Sequence, residues 1–364
     1  MQENTAIKTP NAQEQSFDLK AEQRITALWA LSEAALGGVL HAFRVPFTGL
    51  FIGASAVIFI TLIASFTRSR EAIIKATVMV MIIKALVSPH TPVNAHMAVA
   101  FQGLLGAFLF GFIPSQRIAA FILGTVSLLQ SALQKLLVLT IVFGMNLWES
   151  IDLFGEYVLK QMPVINTVAG SLDISLILIS VYICTHVLTG MIAGIFAPIL
   201  TNSMQMDLQT HPERYVLTDK NGRQRFPQKR KRARFQKRLT LSLLFTMALG
   251  IFILSYIFPV FEKSSGTAAV IMIIRSVTIM TIWYFIIGPF LMKKLHRYLG
   301  KKQTRYAGEI YSIMAVFPLL KRIVSGSWRS TSVYRGVNRW TMLIKIILYH
   351  ILTADLSRPS EKSN

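Results

Sequence analysis

Apolar residues recur along this 364-residue chain in unbroken runs of helix length, not in the alternation of a half-buried strand. Short charged or Pro/Gly-containing breaks separate the runs, and each run approaches the roughly 20 residues that an α-helix needs to cross a bilayer. The pattern predicts spans near 25–43, 47–66, 72–88, 94–113, 117–144 and 171–200, with two more near 239–261 and 266–292. The third is short and carries Lys75 and Lys84. A transmembrane β-barrel would instead show alternating segments of about ten residues, and the chain has none. The expected fold is an all-α polytopic membrane protein of about eight spans: a six-helix body over 25–200, then a two-helix hairpin over 239–292.

Composition agrees with that reading. The chain is 53% hydrophobic and only 15% charged, too little charge to cover a soluble domain of this length. Residues 1–24 are polar and of mixed charge and lack the apolar core of a secretory signal, so they are expected to form a cytoplasmic tail. The only cysteine, Cys184, lies within an apolar run and reads as a small core residue. A lone cysteine excludes an intrachain disulfide, a Cys-based zinc site and a thioredoxin motif.

Loop charge predicts orientation. With the N-terminus inside, Arg68, Arg70, Lys75 and Arg117 fall inside, and the loop from Trp148 to Asp173 falls outside with Glu149, Asp152, Glu156 and Asp173 against Lys160. The loop from Thr201 to Arg238 then falls inside with its run of Lys and Arg, as do Lys293, Lys294, Arg297, Lys301 and Lys302; Arg44 is the exception. The positive-inside rule therefore puts both termini in the cytoplasm of a bacterial inner membrane.

Charge also divides the chain. Residues 1–200 carry 11 Lys/Arg against 10 Asp/Glu, a net of +1, whereas residues 201–364 carry 27 against 7, a net of +20. A basic loop over 201–238 and a basic region over 293–364 therefore flank the hairpin. Beside spanning helices such charge is expected to meet anionic lipid headgroups or an acidic cytoplasmic partner, and no nucleic-acid binding is expected. In the last region Ile310, Ile313, Met314, Phe317, Leu320 and Ile323 recur at helical spacing, and a second such stretch runs from Trp340 to Leu352. Either could lie on the inner membrane surface or be held in the groove of a cytoplasmic subunit.

Polar side chains inside apolar spans are expensive, which makes them candidates for function. Glu33 falls near the middle of the first span and Lys84 near the outer end of the third, where it can snorkel. Gln130 and Gln134 lie one turn apart on the fifth, with Lys135 beside them too deep for an easy snorkel. A buried Glu–Lys pair of purely structural role would account for two of these. The predicted topology also brings His41, His90 and His96 to one depth on the outer side, with Asn94 in the same loop, while His186 lies midway down the sixth span. Neutral imidazole is the commonest protein ligand for Ni, Co, Zn and Cu, and histidine also caps helix ends or bonds loop carbonyls. Small-residue pairs at four-residue spacing (Ala30/Ala34, Gly49/Gly53, Ala72/Ala76) mark faces where helices can approach closely.

No P-loop, H-E-x-x-H or G-x-S-x-G motif occurs, and no inverted repeat relates the halves. The chain is not expected to be an enzyme, although Glu33, Lys135 and His186 are groups capable of acid–base chemistry.

From Ser88 to Asp152 the order of features is distinctive. Pro92-Val93-Asn94-Ala95-His96 opens a span containing Gly103, Gly106 and Gly111; a turn follows at Ile113-Pro114-Ser115; the next span carries Gln130 and Gln134; and Gly144-Met145-Asn146 precedes a polar loop. This resembles the substrate-binding S components of energy-coupling factor transporters, of the cobalt/nickel type. The resemblance covers about a third of the chain closely and the six-helix body in outline. It implies a Ni or Co ion, or a vitamin, as cargo, no resident cofactor, and partner ABC-type ATPase subunits with a transmembrane coupling subunit. By position His96 matches the family's metal-coordinating loop histidine. The family's metal binders begin with a Met-His pair, whereas this chain begins Met1-Gln2-Glu3, so His41, His90 or His186 would have to complete a metal site. In the C-terminal part, Tyr334-Arg335-Gly336, with Arg339 beyond it, is similar to the Ala-Arg-Gly-like motif by which coupling components dock on their ATPases. The alternative expectation is a membrane scaffold whose basic half binds lipid or protein, with no transported substrate.

Overall fold

In the computed structural model, residues 21–36, 48–67, 69–88, 91–161, 173–210 and 265–353 are described. Among these residues the chain is almost entirely helical. Helix α1 (Ala21–Leu31) runs into a π turn (Ser32–Leu36), followed by α2 (Thr48–Thr67), α3 (Arg70–Val87), α4 (Val93–Phe112) and α5 (Gln116–Phe143). Next come α6 (Asn146–Lys160), α7 (Ile174–Thr210) and α8 (Ser265–Ile282), which continues through a second π turn into α9 (Gly288–Arg305). Helices α10 (Ala307–Ala315), α11 (Phe317–Ser330) and α12 (Gly336–Thr353) complete the described fold.

Among the described residues, six helical stretches are long and apolar enough to cross a membrane, consistent with a multi-pass membrane protein. Four belong to the body: Gly49–Thr67, Val93–Phe112, Gln116–Phe143 and Ile174–Met204. The others are Val270–Arg305 and Ala307–Val333. The second of these bends at Val316 and divides into α10 and α11, each well short of a bilayer's thickness. Helix α3 is not among the six, because Arg70, Glu71, Lys75 and Lys84 interrupt its apolar character. The expected span near 239–261, the basic loop from 211 to 238 and the tail over 1–20 lie outside the described residues.

Local chemistry starts and stops the body helices. Ser69 accepts a hydrogen bond from the Ala72 amide and caps α3, and Ser115 opens α5. Gly144 ends α5 at φ +78°, a backbone conformation that favours glycine. Helices α1, α2, α3, α4, α5 and α7 pack as one bundle around Ile25, Trp29, Ile60, Ile63, Ile82, Ile83, Leu123 and Leu128.

Lipid is as apolar as leucine, so helix association in a bilayer rests on close packing more than on water exclusion. The tightest seam joins α5 to α7. A Cβ on Gly190 would land on the Gly124 carbonyl, with its carbon 2.8 Å away, and one on Gly194 would lie 2.6 Å from the Ala120 oxygen and 2.7 Å from the Phe121 Cα. On α4, a Cβ at Gly103 would strike Thr77, one at Gly106 would lie 2.5 Å from Ile60, and one at Gly111 would strike Arg70. Gly53, from one of the small-residue pairs expected to sit at an interface, faces Leu128 and Gln102.

The expected outer loop after α5 holds a helix. Helix α6 has no buried residue and leaves Leu153, Phe154 and Tyr157 exposed. Asp152 is committed to structure, because its carboxylate accepts from the Ser175 amide at 2.7 Å and the Ser175 hydroxyl at 2.8 Å at the start of α7. The acidic excess that indicated topology thus includes a helix cap. Cys184, expected in the core, is exposed on α7.

The C-terminal helices do not lie apart from the body. Helix α9 packs along α3 and α4, and α10, α11 and α12 pack on α1, with α12 also against α7. The apolar stripe read at 310–323 faces inward: Ile310, Ile313, Leu320 and Ile323 are buried, with Met314 and Phe317 packed beside them. The stripe's partner is therefore the chain's own bundle, in place of a membrane surface or a separate subunit. Glu309 ties the two parts, its carboxylate 2.7 Å from the Lys75 ammonium and 3.2 Å from the Gln23 amide nitrogen. Arg24 donates to the Ile351 and Leu352 carbonyls at 3.1 and 3.0 Å, satisfying the end of α12 and placing a cation at its negative pole.

One half-buried group should make this docked unit sensitive to pH. The His350 ring lies edge-on to Tyr349, its Nε2 is buried without a partner, and burial holds it below its ordinary 6.5. The folded chain therefore takes up this proton less readily than the unfolded one. Unfolding midpoints measured between about pH 5 and 8 should be level above 6.5 and fall below it, and His350→Leu should flatten the falling limb.

Candidate functional site

Helices α1 and α3 start at the same end of the bundle, because Gln23 and Lys75 meet on Glu309. Nine or ten residues further along each helix, about 14 Å at 1.5 Å per residue, stand Glu33 and Lys84. Their side chains form an ion pair of 2.6 Å with only 2% and 8% of the side chains exposed. Lys84 thus turns inward onto Glu33 and does not snorkel to the outer surface. The π turn at Ser32–Leu36 places Glu33 there and brings the Ser32 hydroxyl to 3.1 Å from that of Ser55 on α2.

His96 stands one turn into α4. It is fully buried, and neither ring nitrogen has a hydrogen-bond partner. Lys84 and, from α9, His296 lie within electrostatic reach of its ring. In the same first turn, the Asn94 side-chain oxygen is also buried without a partner. A buried polar group left unpaired costs about 1–3 kcal/mol, and such groups are uncommon in native structures.

The remaining expected site residues separate from this cluster. Gln130 donates to Gln134 at 3.1 Å, and the pair lines an open groove of about 670 Å³ between α4 and α5, walled by Met97, Phe101, Leu133 and Leu137. His96 does not line that groove; its neighbour Met97 does. Lys135 is exposed, and α5 is 28 residues long, which leaves Lys135 only eight residues from its end. His186 is buried on α7 with Nδ1 2.9 Å from the Tyr182 carbonyl, and its ring lies against that of Tyr182. His41 and His90 lie outside the described residues. Among the described residues, no three His, Cys, Asp or Glu side chains converge as a metal site would require.

At the far end of the C-terminal unit, Gly336 starts α12 at φ +60° and Arg335 beside it is exposed. Arg339 is held in place, its guanidinium 4.2 Å from the Trp328 ring centre and donating to the Trp328 carbonyl at 3.4 Å.

Sequence reasoning missed His296 and Ser55. His296 lies in a basic stretch expected on the cytoplasmic side, and Ser55 is a small polar residue inside an apolar run. Only the packing of α9 on α4, and of α2 on the π turn, gives either one a role.

The described residues form an almost entirely helical bundle with a buried ion pair inside it and six helices long and apolar enough to cross a membrane, as a multi-pass membrane protein would have. No family model, curated protein or solved structure matches the chain.

Proposed function

We propose that this chain is the substrate-binding membrane component of a micronutrient importer, taking a transition-metal ion or a vitamin and working with partner ATPases at the inner membrane. The observation that carries this reading is His96: a fully buried imidazole with two unpaired nitrogens, beside a buried Glu–Lys pair, inside a bundle of membrane-spanning character. Buried polar groups left unpaired are costly to maintain, and an arriving solute that hydrogen-bonds His96 and Asn94 would satisfy them. The order of motifs from Pro92 to Asn146 supports the same assignment. Chelation of a metal would need further ligands beside His96, whereas a vitamin's hydrogen-bonding groups would not, so the described cluster favours an organic solute.

Native mass spectrometry of the tagged protein, extracted gently from its host membrane, tests the assignment. Co-purifying ATPase subunits, or a bound vitamin or metal mass that disappears in a folded His96→Ala variant, are expected. A lone chain carrying only lipid, from a preparation that preserves known complexes, would favour the scaffold instead.

A further inference from the structure

The corner between α11 and α12 turns a cluster of apolar and aromatic side chains outward: Val333 is 85% exposed, Trp340 56%, Trp328 43% and Tyr334 42%. The two indoles lie 5.5 Å apart, and Arg339 stacks on Trp328, which fixes the aromatic pair in place. The positive φ of Gly336 makes the sharp reversal that pushes Val333 and Tyr334 to the tip.

The charge along the chain through this tip is of one sign. From Ile310 to Ala354 the chain contains no Asp or Glu, while Lys321, Arg322, Arg329, Arg335, Arg339 and Lys345 fall within the same stretch. Trp and Tyr, with an apolar body and a polar edge, are the residues that settle at the water–lipid boundary, and Lys/Arg beside them select anionic headgroups. A helix that docks in a protein groove presents a stripe at i, i+3, i+4 and i+7, whereas the exposed residues here form a compact point. Helix α12 is 18 residues long, about 27 Å, and its other end is fastened to Arg24 of α1. The corner is therefore held within one helix length of the bundle.

We infer that the α11–α12 corner is an anchor for an anionic lipid surface: Val333, Tyr334 and the Trp328–Trp340 pair enter the headgroup boundary, and Arg329 and Arg335 contact lipid phosphates. The anchor does not depend on the importer assignment, since either an importer or a scaffold could use it.

The single native cysteine makes the test direct. In a Cys184→Ser background, Val333→Cys of the full chain carries a nitroxide label, and the protein is placed in nanodiscs with or without phosphatidylglycerol. Collision rates are then measured with oxygen, which concentrates in lipid, and with a water-soluble nickel chelate. With phosphatidylglycerol, the oxygen-to-chelate ratio should rise several-fold above that of free label in buffer. It should fall back in pure phosphatidylcholine, and also when Arg329→Glu and Arg335→Glu are combined. Free access of the chelate in anionic nanodiscs would overturn the anchor, and protection from both reagents would overturn it in favour of a protein partner at this corner. A ratio indifferent to lipid charge would remove the arginines from the account. Tyr334→Cys repeats the measurement if labelled Val333→Cys fails to fold.

Discussion

Replacing Glu33 by Ala should destabilise the protein by about 3–5 kcal/mol, because it leaves the Lys84 ammonium buried without its partner. The same loss is expected for Lys84→Ala, which strands the carboxylate. The pair is 2.6 Å long and nearly inaccessible, so neither solvent nor snorkelling can compensate. Combining Glu33→Gln with Lys84→Met should recover most of the stability, since removing both charges also removes both desolvation costs. Equilibrium unfolding of the wild type, Glu33→Gln, Lys84→Met and their combination in one detergent measures the coupling. Additive losses in the double variant would show that the two groups do not act as a pair. The double variant also separates structure from function: stable protein that no longer carries the native solute would place the pair in the substrate site. Undiminished solute binding in that protein would leave the pair as a clasp between α1 and α3.

The second large effect is expected at the α5–α7 seam. Gly190→Ala and Gly194→Ala should each cost about 1–3 kcal/mol, the usual cost of overpacking, because each new methyl meets backbone atoms of α5 that cannot rotate away. Leucine at either position should prevent a folded, extractable protein. Gly300→Ala and Gly308→Ala serve as controls. Nothing lies within 4 Å of the Cβ either would gain, and alanine favours a helix over glycine by up to about 1 kcal/mol. These two should be neutral or stabilising by thermal unfolding. Equal effects at all four glycines would mean that helix propensity, and not the close approach of α5 and α7, sets their role.

The contrast between these glycine pairs shows how far the sequence could be read. Gly190 and Gly194 are four residues apart, the same spacing as Gly49 and Gly53, yet that spacing recurs by chance in any apolar chain. What marks the first pair is the α5 backbone at Gly124 and Ala120, which lies directly against the two positions. Likewise, Glu33 and Lys84 were legible as costly groups, and a Glu–Lys pair between neighbouring spans could be anticipated. That Lys84 would turn inward depended on α1 and α3 running side by side from the same end.

The apolar runs by themselves determined the helical membrane character, the places of most body helices and the periodicity of the C-terminal stripe. These are consequences of backbone hydrogen bonding and side-chain period, which act over a few residues. Tertiary structure alone decided what each face met. It folded the C-terminal stripe onto the chain's own bundle, separated Gln130 and Gln134 from His96, and brought His296 near His96. Those outcomes depend on the packing of helices tens or hundreds of residues apart, and no local pattern of charge or hydropathy encodes the partner a face will find.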